Sequence, residues 1–379
     1  MSVDYKLLPS PCYVLDKNRL SDNLQIIEGV ADASGATFIL AFKGFAMWSV
    51  FPLVREYVNG AAASSLSEAR LAFEEMHCRA HTYAPVYDEK DFGQIVRYSS
   101  HITFNSLSQY EIFFKRAKAT DPDISVGLRI NPEFSEIAHG IYNPSSPGSR
   151  LGVTADLLGD NLPDGVEGLH FHLLFESDSY TLERVLKVVE KKFGHLFPGL
   201  SWINMGGGHL VTGKDYDREH LIALLQDFRK RHNVDVILEP GTAFAWESGE
   251  LVATVEDVVE NSGIKTAILN VSFTAHMPDC LEMPYKPVVM GATEPTPGKP
   301  TYRLGGNSCL SGDFMGDWSF ERELTRGDRI IFMDMIHYTM VKTTTFNGVA
   351  HPSIVVWEGD GKFRVVREFG YKDYRNRLS

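Results

Sequence analysis

The run Thr37-Phe38-Ile39-Leu40-Ala41-Phe42-Lys43-Gly44 is apolar for the length of a strand and then ends in a lysine and a glycine. A buried strand carries few charges, and a charge at its tip lies where a barrel or an open α/β sheet places its chemistry. An ammonium partly withdrawn from water there loses its proton more readily and becomes an amine nucleophile toward a carbonyl. A lone lysine in such a position is more often a solvated strand cap. Its meaning depends on what the neighbouring strands end in.

Outward from this run a rhythm appears. Strand-like segments recur at 37–42, 61–63, 82–84, 102–104, 124–130, 168–173, 202–205 and 236–238. Amphipathic segments of helix length lie between most of them, at 48–57, 67–76, 108–119, 182–192 and 218–231. Ser65 with Glu68 three residues on is a capping-box pattern for the helix over 67–76. Eight strands alternating with helices predict a (β/α)8 TIM-type barrel over residues 21–248, with a doubly wound open sheet as the rival. Beyond Glu247 the texture changes. Runs at 251–259, 265–271, 301–304, 329–333, 354–357 and 363–366 are alternating or β-branched and separated by Gly, Pro, Asn and Asp. They predict an all-β, sandwich- or barrel-like domain over 249–379. The strand around Tyr13, within residues 1–20, is expected to join it.

The composition narrows the function. The chain has 379 residues, 44% hydrophobic and 23% charged, as an ordinary globular protein does. Its 37 basic and 49 acidic residues give a net charge of −12, which argues against nucleic acid and anionic membrane as partners and suits a cationic small molecule. No run approaches the ~18 apolar residues of a membrane span. Residues 1–10 lack a basic-then-apolar signal pattern. Cys12, Cys78, Cys280 and Cys309 are scattered with no CxxC spacing, as expected of reduced thiols in a cytoplasmic protein.

The barrel reading sorts the polar residues onto one rim, because active sites of such barrels lie at the C-terminal ends of the strands. Lys43 follows the first strand, Ser64 and Ser65 the second and Asn131 the fifth. His172 ends the sixth, Gly206-Gly207-Gly208 follows the seventh and Glu239-Pro240-Gly241 ends the eighth. Three glycines leave backbone N–H groups open to an anion such as a phosphate. His170 and His172 share a face by period-two geometry. A metal pair would need cysteines or carboxylates at zinc-like spacing, and none is present, so no metal is expected. Glu239 ends an apolar strand and is expected to have a cationic partner. A lysine, an anion cradle, an imidazole and a carboxylate match pyridoxal 5′-phosphate. The aldehyde is expected on Lys43, the phosphate on the glycines, His172 over the ring and Glu239 at the pyridine nitrogen.

These motifs resemble the fold-type III pyridoxal-phosphate decarboxylases, the group of alanine racemase and the ornithine and diaminopimelate decarboxylases. The resemblance is strongest to the carboxynorspermidine/carboxyspermidine decarboxylase branch and covers nearly the whole chain. It is carried by Leu40-Ala41-Phe42-Lys43-Gly44, the stretch 143–152 that ends in Arg150-Leu151-Gly152, Leu169-His170-Phe171-His172, Gly206-Gly207-Gly208-His209 and Glu239-Pro240-Gly241. In the second domain it continues through 275–279, 281–284, 308–313, 337–342 and Phe346-Asn347-Gly348. The resemblance implies a homodimer in which the β-domain reaches into the partner's barrel. Cys309 would return a proton after CO2 leaves, Asp313 would bind a substrate amine, and Tyr338 would contact the cofactor phosphate. Ala41 and Gly241 fall among the cofactor contacts, and Asp279, Arg150 and Glu176 among the substrate contacts. Phe175, Thr242 and Asn270 depart from the family pattern, which has cysteine, glutamate and aspartate there. The implied activity is that of a carboxy-lyase of polyamine biosynthesis, releasing norspermidine or spermidine and CO2. Decarboxylation of diaminopimelate, ornithine or lysine, and a non-catalytic regulatory role, are the alternatives.

Overall fold

The computed structural model describes residues 3–137 and 140–379. The chain forms two compact units, one of Asp22–Phe244 and one of Ala245–Ser379 with the segment up to Ser21.

The second unit begins with strand β1, Cys12–Asp16, which is buried along its whole length. The barrel strands follow: β2 (Thr37–Phe38), β3 (Leu40–Ala41), β4 (Ala61–Ala63), β5 (Ala80–Tyr83), β6 (Ser99–Phe104), β7 (Ser125–Arg129), β8 (Gly168–His170), β9 (Trp202–Asn204) and β10 (Asp235–Leu238). Their pairing is parallel throughout, in the order β2-β10-β9-β8-β7-β6-β5-β4-β3. The predicted strand over 37–42 is therefore two half-strands. Its first half pairs with β10 and its second half with β4. That split closes the sheet, so among the described residues the unit is an eight-stranded parallel barrel and not an open sheet.

Helices lie between the strands. Leu66–Glu74 starts at Ser65, whose hydroxyl accepts the Glu68 amide at 3.1 Å. The Glu68 carboxylate reaches back to the Ser64 amide at 2.6 Å, one residue before the expected partner. A helix at Phe92–Tyr98 was not apparent in the sequence, while the predicted helix over 48–57 is a short 3₁₀ turn and one helical turn ending at Val54.

A large aromatic side chain fills the barrel interior. Trp202 on β9 projects across the strands, and its indole N–H donates to Ser125 Oγ at 2.8 Å. A Cβ on Gly168 of β8 would stand 2.1 Å from the indole, and one on Gly127 of β7 would stand 2.3 Å away. Two adjacent strands thus lack side chains where the tryptophan lies, and Ile39, Ala41, Ala62 and Ile237 pack beside it.

The second unit is a mixed sheet built on β1 and eight further strands: β11 (Gly249–Asn261), β12 (Ile264–Leu269), β13 (Ala292–Thr293), β14 (Thr301–Gly305), β15 (Phe314–Phe320), β16 (Arg329–Phe332), β17 (Ser353–Gly359) and β18 (Lys362–Arg367). β1 lies between β11, antiparallel to it, and β17, parallel to it. Val14, Cys12, Val252, Val355 and Trp357 form its core. β15 escaped the sequence pattern because Gly316 and Asp317 interrupt its apolar alternation. No described helix is long and apolar enough to cross a membrane.

Gly168→Ala is expected to destabilise the barrel by about 1–3 kcal/mol, since the methyl group would overlap the buried indole. The effect is read as a lowered urea midpoint with an unchanged slope; an unchanged midpoint would mean that Trp202 repacks freely.

Candidate active site

The closure of the barrel brings its first and last strand ends together. Beyond β3 the chain turns at Gly44, whose Cβ, if it had one, would lie 2.8 Å from Gly241 Cα. The Ala41 amide donates to the Pro240 carbonyl at 3.1 Å. Lys43 is thereby set on the same rim as Glu239. A cavity of about 250 Å³ opens there, lined by Lys43, Arg129, His170, His172 and Glu239, with Ala41, Ser64, Tyr83 and Arg150 among its other walls. The barrel thus brings together four of the residues expected at a cofactor site, Lys43, Ala41, His172 and Glu239, with Arg150, expected among the substrate contacts.

Lys43 Nζ lies 3.4 Å from His172 Nε2. β8 ends at His170, so His172 stands two residues past the strand and not within it as the sequence pattern suggested. Its ring is held from the other side by the Gly207 N–H, which donates to Nδ1 at 2.7 Å. Gly206 and Gly208 have positive φ, 69° and 87°. A Cβ at Gly206, Gly207 or Gly208 would meet the carbonyl oxygens of Phe171, Glu239 or Leu174 at 2.5, 2.3 and 2.1 Å. The triplet is therefore a close crossing of three rim segments. The Gly206 and Gly207 amides are directed at Asn204 Oδ1 and His172, where the sequence had suggested an anion as their partner.

Glu239 was expected to face a cation. Its direct partner is Asn204, whose Nδ2 donates to Oε1 at 2.6 Å, while His170 Nε2 lies 4.0 Å from Oε2. Burial raises the Glu239 pKa, opposed by the Asn204 hydrogen bond and by the charges of Lys43 and Arg129. Burial likewise lowers that of Lys43, with Arg129 pushing the same way and Glu239 and Glu68 opposing. His172 is held well below the ordinary histidine range by burial and then by Lys43, Arg129, His170 and His209. Both ring nitrogens of the buried His170 lack a hydrogen-bond partner and are closed off from solvent.

Sequence reasoning missed Arg129, Tyr83 and Asn204. Arg129 is buried and its guanidinium lies 4.6 Å from the Tyr83 ring centroid. Tyr83 donates to Asn105 Oδ1 at 2.8 Å, and the Asn105 amide holds the Arg150 carbonyl at 2.8 Å. The signal was available, because an arginine closing the apolar strand Ser125–Arg129 is as conspicuous as a lysine after 37–42. Glu176 is exposed with φ of 44°, and Phe175 packs against Tyr142 with ring centroids 5.0 Å apart.

Cys309, Asp313, Asp279 and Tyr338 belong to the β unit. Of the four cysteines Cys309 alone is exposed, and Asn347 Oδ1 accepts its amide at 2.8 Å. Burial pushes the Cys78 and Cys280 thiols up to about 11 and Cys12 to about 12, as for inert structural cysteines. Asp313 is buried and accepts the amides of Thr274 and Ser308, both at 3.1 Å. It thereby anchors the loop that carries Cys309. Asp279 and Glu282 both take Lys342 Nζ at 2.6 Å, and Lys342 lies 6.0 Å from the Tyr338 ring centroid. Asn270, one of the departures from the pattern, accepts the Thr254 amide through Oδ1 at 2.8 Å, a bridge between neighbouring strands.

A closed barrel with a half-buried lysine beside a histidine, facing a carboxylate held by an amide, has the donor set of an enzyme class that works through an amine–carbonyl cofactor. The chain belongs to the pyridoxal-dependent decarboxylases: residues 12–336 match the family described as pyridoxal-dependent decarboxylase, C-terminal sheet domain. It is 51% identical to the carboxyaminopropylagmatine decarboxylase of Synechocystis sp., over 98% of this chain and 96% of that one. It is 41% identical to the carboxynorspermidine/carboxyspermidine decarboxylase of Campylobacter jejuni, over 98% and 99% of the two chains. The crystal structure of carboxynorspermidine decarboxylase from Campylobacter jejuni complexed with norspermidine superposes with a TM-score of 0.91, covering 98% of this chain and 100% of that one at 41% identity.

Beneath the cavity, His81 and His101 stack with centroids 3.8 Å apart. Burial pushes His101 down to about 4, and His81 falls well below the ordinary value of 6.5 through burial and the neighbouring ring. Both rings are neutral in the fold, whereas the unfolded chain takes up protons near pH 6.5. Their contribution is complete above that pH and is lost as pH falls toward 4. His101→Gln is expected to flatten this acid limb: urea midpoints measured from neutral pH down to pH 4 should fall less in the variant than in the wild type. Parallel losses would remove the pair from the account.

Proposed function

We propose that this protein decarboxylates a carboxylated polyamine using pyridoxal 5′-phosphate held in the barrel cavity. The observation that carries the reading is the half-buried Lys43–His172–Glu239 arrangement in a chain that aligns nearly end to end with decarboxylases named for such substrates. The donor set fits the cofactor: a half-buried amine at the barrel rim, an imidazole beside it, and a carboxylate fixed by Asn204 across the cavity. The cofactor when bound supplies a carbonyl that takes an amine and a ring that accepts the electron pair left by CO2.

The chain's own residues have these roles. Lys43 would hold the cofactor through its carbonyl carbon. His172, fixed by Gly207, shields the ring face and excludes water. Glu239, fixed by Asn204, would keep the cofactor's pyridine nitrogen protonated. Arg129 supplies a permanent positive charge in the same cavity. The exposed thiol of Cys309 is the proton donor to the carbon left by CO2, and Asp313 fixes its loop. As the family resemblance implies, we place the complete site in a homodimer, with Cys309 of one chain serving its partner's barrel. The net charge of −12 draws a polycation by long-range attraction, so the on-rate falls with added salt.

The distal end of the substrate is an amine or a guanidinium. The 51% identity to the carboxyaminopropylagmatine enzyme, against 41% to the carboxynorspermidine/carboxyspermidine enzyme, favours the guanidinium. Asp279 and Glu282, already gathered by Lys342, are the carboxylates proposed to meet it.

CO2 release measured on carboxyaminopropylagmatine, carboxynorspermidine, carboxyspermidine, diaminopimelate, ornithine and lysine is expected to favour the carboxylated polyamines. Preference for a shorter amino acid would reassign the substrate, and silence on all with cofactor bound would favour a regulatory relative. Cys309→Ala is expected to lower kcat by about 10²–10⁴-fold with little change in KM. An unchanged kcat would remove the thiol from the proton transfer.

A further inference from the structure

We infer that the Gly206-Gly207 turn is an orienting device: its two amides fix His172 with the ring proton on Nε2 and Asn204 with its NH2 toward Glu239, so that Lys43 faces a donor and is held as the free amine. The inference stands on the barrel geometry and does not depend on which substrate is used.

A backbone N–H can only donate. The Gly207 N–H points at His172 Nδ1 from 2.7 Å, so Nδ1 must carry a lone pair. A neutral imidazole then has its single proton on Nε2, and an imidazolium, which donates from both nitrogens, is excluded. Nε2 lies 3.4 Å from Lys43 Nζ. An ammonium there would set donor against donor, whereas a free amine accepts the proton. The same logic reads the other glycine. The Gly206 N–H at 2.9 Å identifies Asn204 Oδ1, which turns Nδ2 toward Glu239 Oε1 at 2.6 Å.

The groups facing Lys43 from the surrounding elements are Glu239 after β10, Arg129 on β7, Glu68 on the helix Leu66–Glu74, His170 on β8 and His172 after β8. The two carboxylates favour the ammonium; Arg129 and burial favour the amine. The histidine tautomer is the contribution set by the backbone alone. It requires glycine, because a Cβ on Gly207 would lie 2.3 Å from the Glu239 carbonyl oxygen and 3.2 Å from His172 Cε1. Gly207 is therefore a positioning residue: it acts on Lys43 through His172. The consequence is an amine ready to add to an aldehyde without first losing a proton.

The test uses the unsubstituted, cofactor-free protein labelled with 15N-histidine, with the His172 signals identified by their loss in His172→Gln. The expected spectrum has a pyridine-type Nδ1 and a pyrrole-type Nε2 that do not change across the neutral range. A pyrrole-type Nδ1, or an imidazolium pattern at neutral pH, would overturn the inference. A second readout follows acetylation of Lys43 by acetic anhydride against pH, quantified by peptide mass spectrometry. Its midpoint is expected below that of the surface lysines; a midpoint equal to theirs would equally overturn it.

Discussion

Two backbone amides without side chains, those of Gly206 and Gly207, hold the reactive rim together. Gly207 fixes the imidazole beside Lys43, and Gly206 fixes the carboxamide that fixes Glu239. The turn is pressed against the Phe171, Leu174 and Glu239 carbonyls so closely that any side chain would force it away. The Glu239 amide in turn donates to the Gly206 carbonyl at 2.7 Å, so the crossing is tied from both sides. A rim built on rigid strand ends and backbone donors keeps its geometry whatever enters it, which a catalytic site requires.

The cavity gathers Lys43, Arg129, Glu239, His170 and His172 into a space of about 250 Å³. Burying so many ionisable groups is costly unless some are neutral, and the histidines and the lysine are those that burial and neighbouring charge drive that way. Arg129 has no neutral option in the physiological range, and its position against Tyr83 replaces part of the water it gave up.

Much of the fold was legible in the sequence. Eight strand-like segments in alternation with helices were enough to predict a barrel, and the change of texture after Glu247 announced the β unit. The split of 37–42 into two half-strands was not legible, because closure depends on pairing partners two hundred residues away. β15 was missed because Gly316 and Asp317 interrupt its alternation. Lys43, His172, Glu239 and the glycines were singled out because strand-end position and residue type coincide, and they lie together on the barrel rim. Asn204 was hidden inside a segment read only as a strand, and Arg129 was passed over although it closes one. The glycine spacing suggests an anion cradle, and two of the amides meet side chains, Asn204 and His172, whose positions no local pattern encodes. On the β unit, Asp313 was read as a substrate contact, and its carboxylate accepts two loop amides.

The central claim is that Lys43 is the amine that takes the cofactor's carbonyl. The protein would be incubated with pyridoxal 5′-phosphate, reduced with sodium borohydride, digested, and its lysine peptides mapped by mass spectrometry. The account predicts one phosphopyridoxyl group per chain, on Lys43. Labelling spread over other lysines, with Lys43 unmodified, would contradict it.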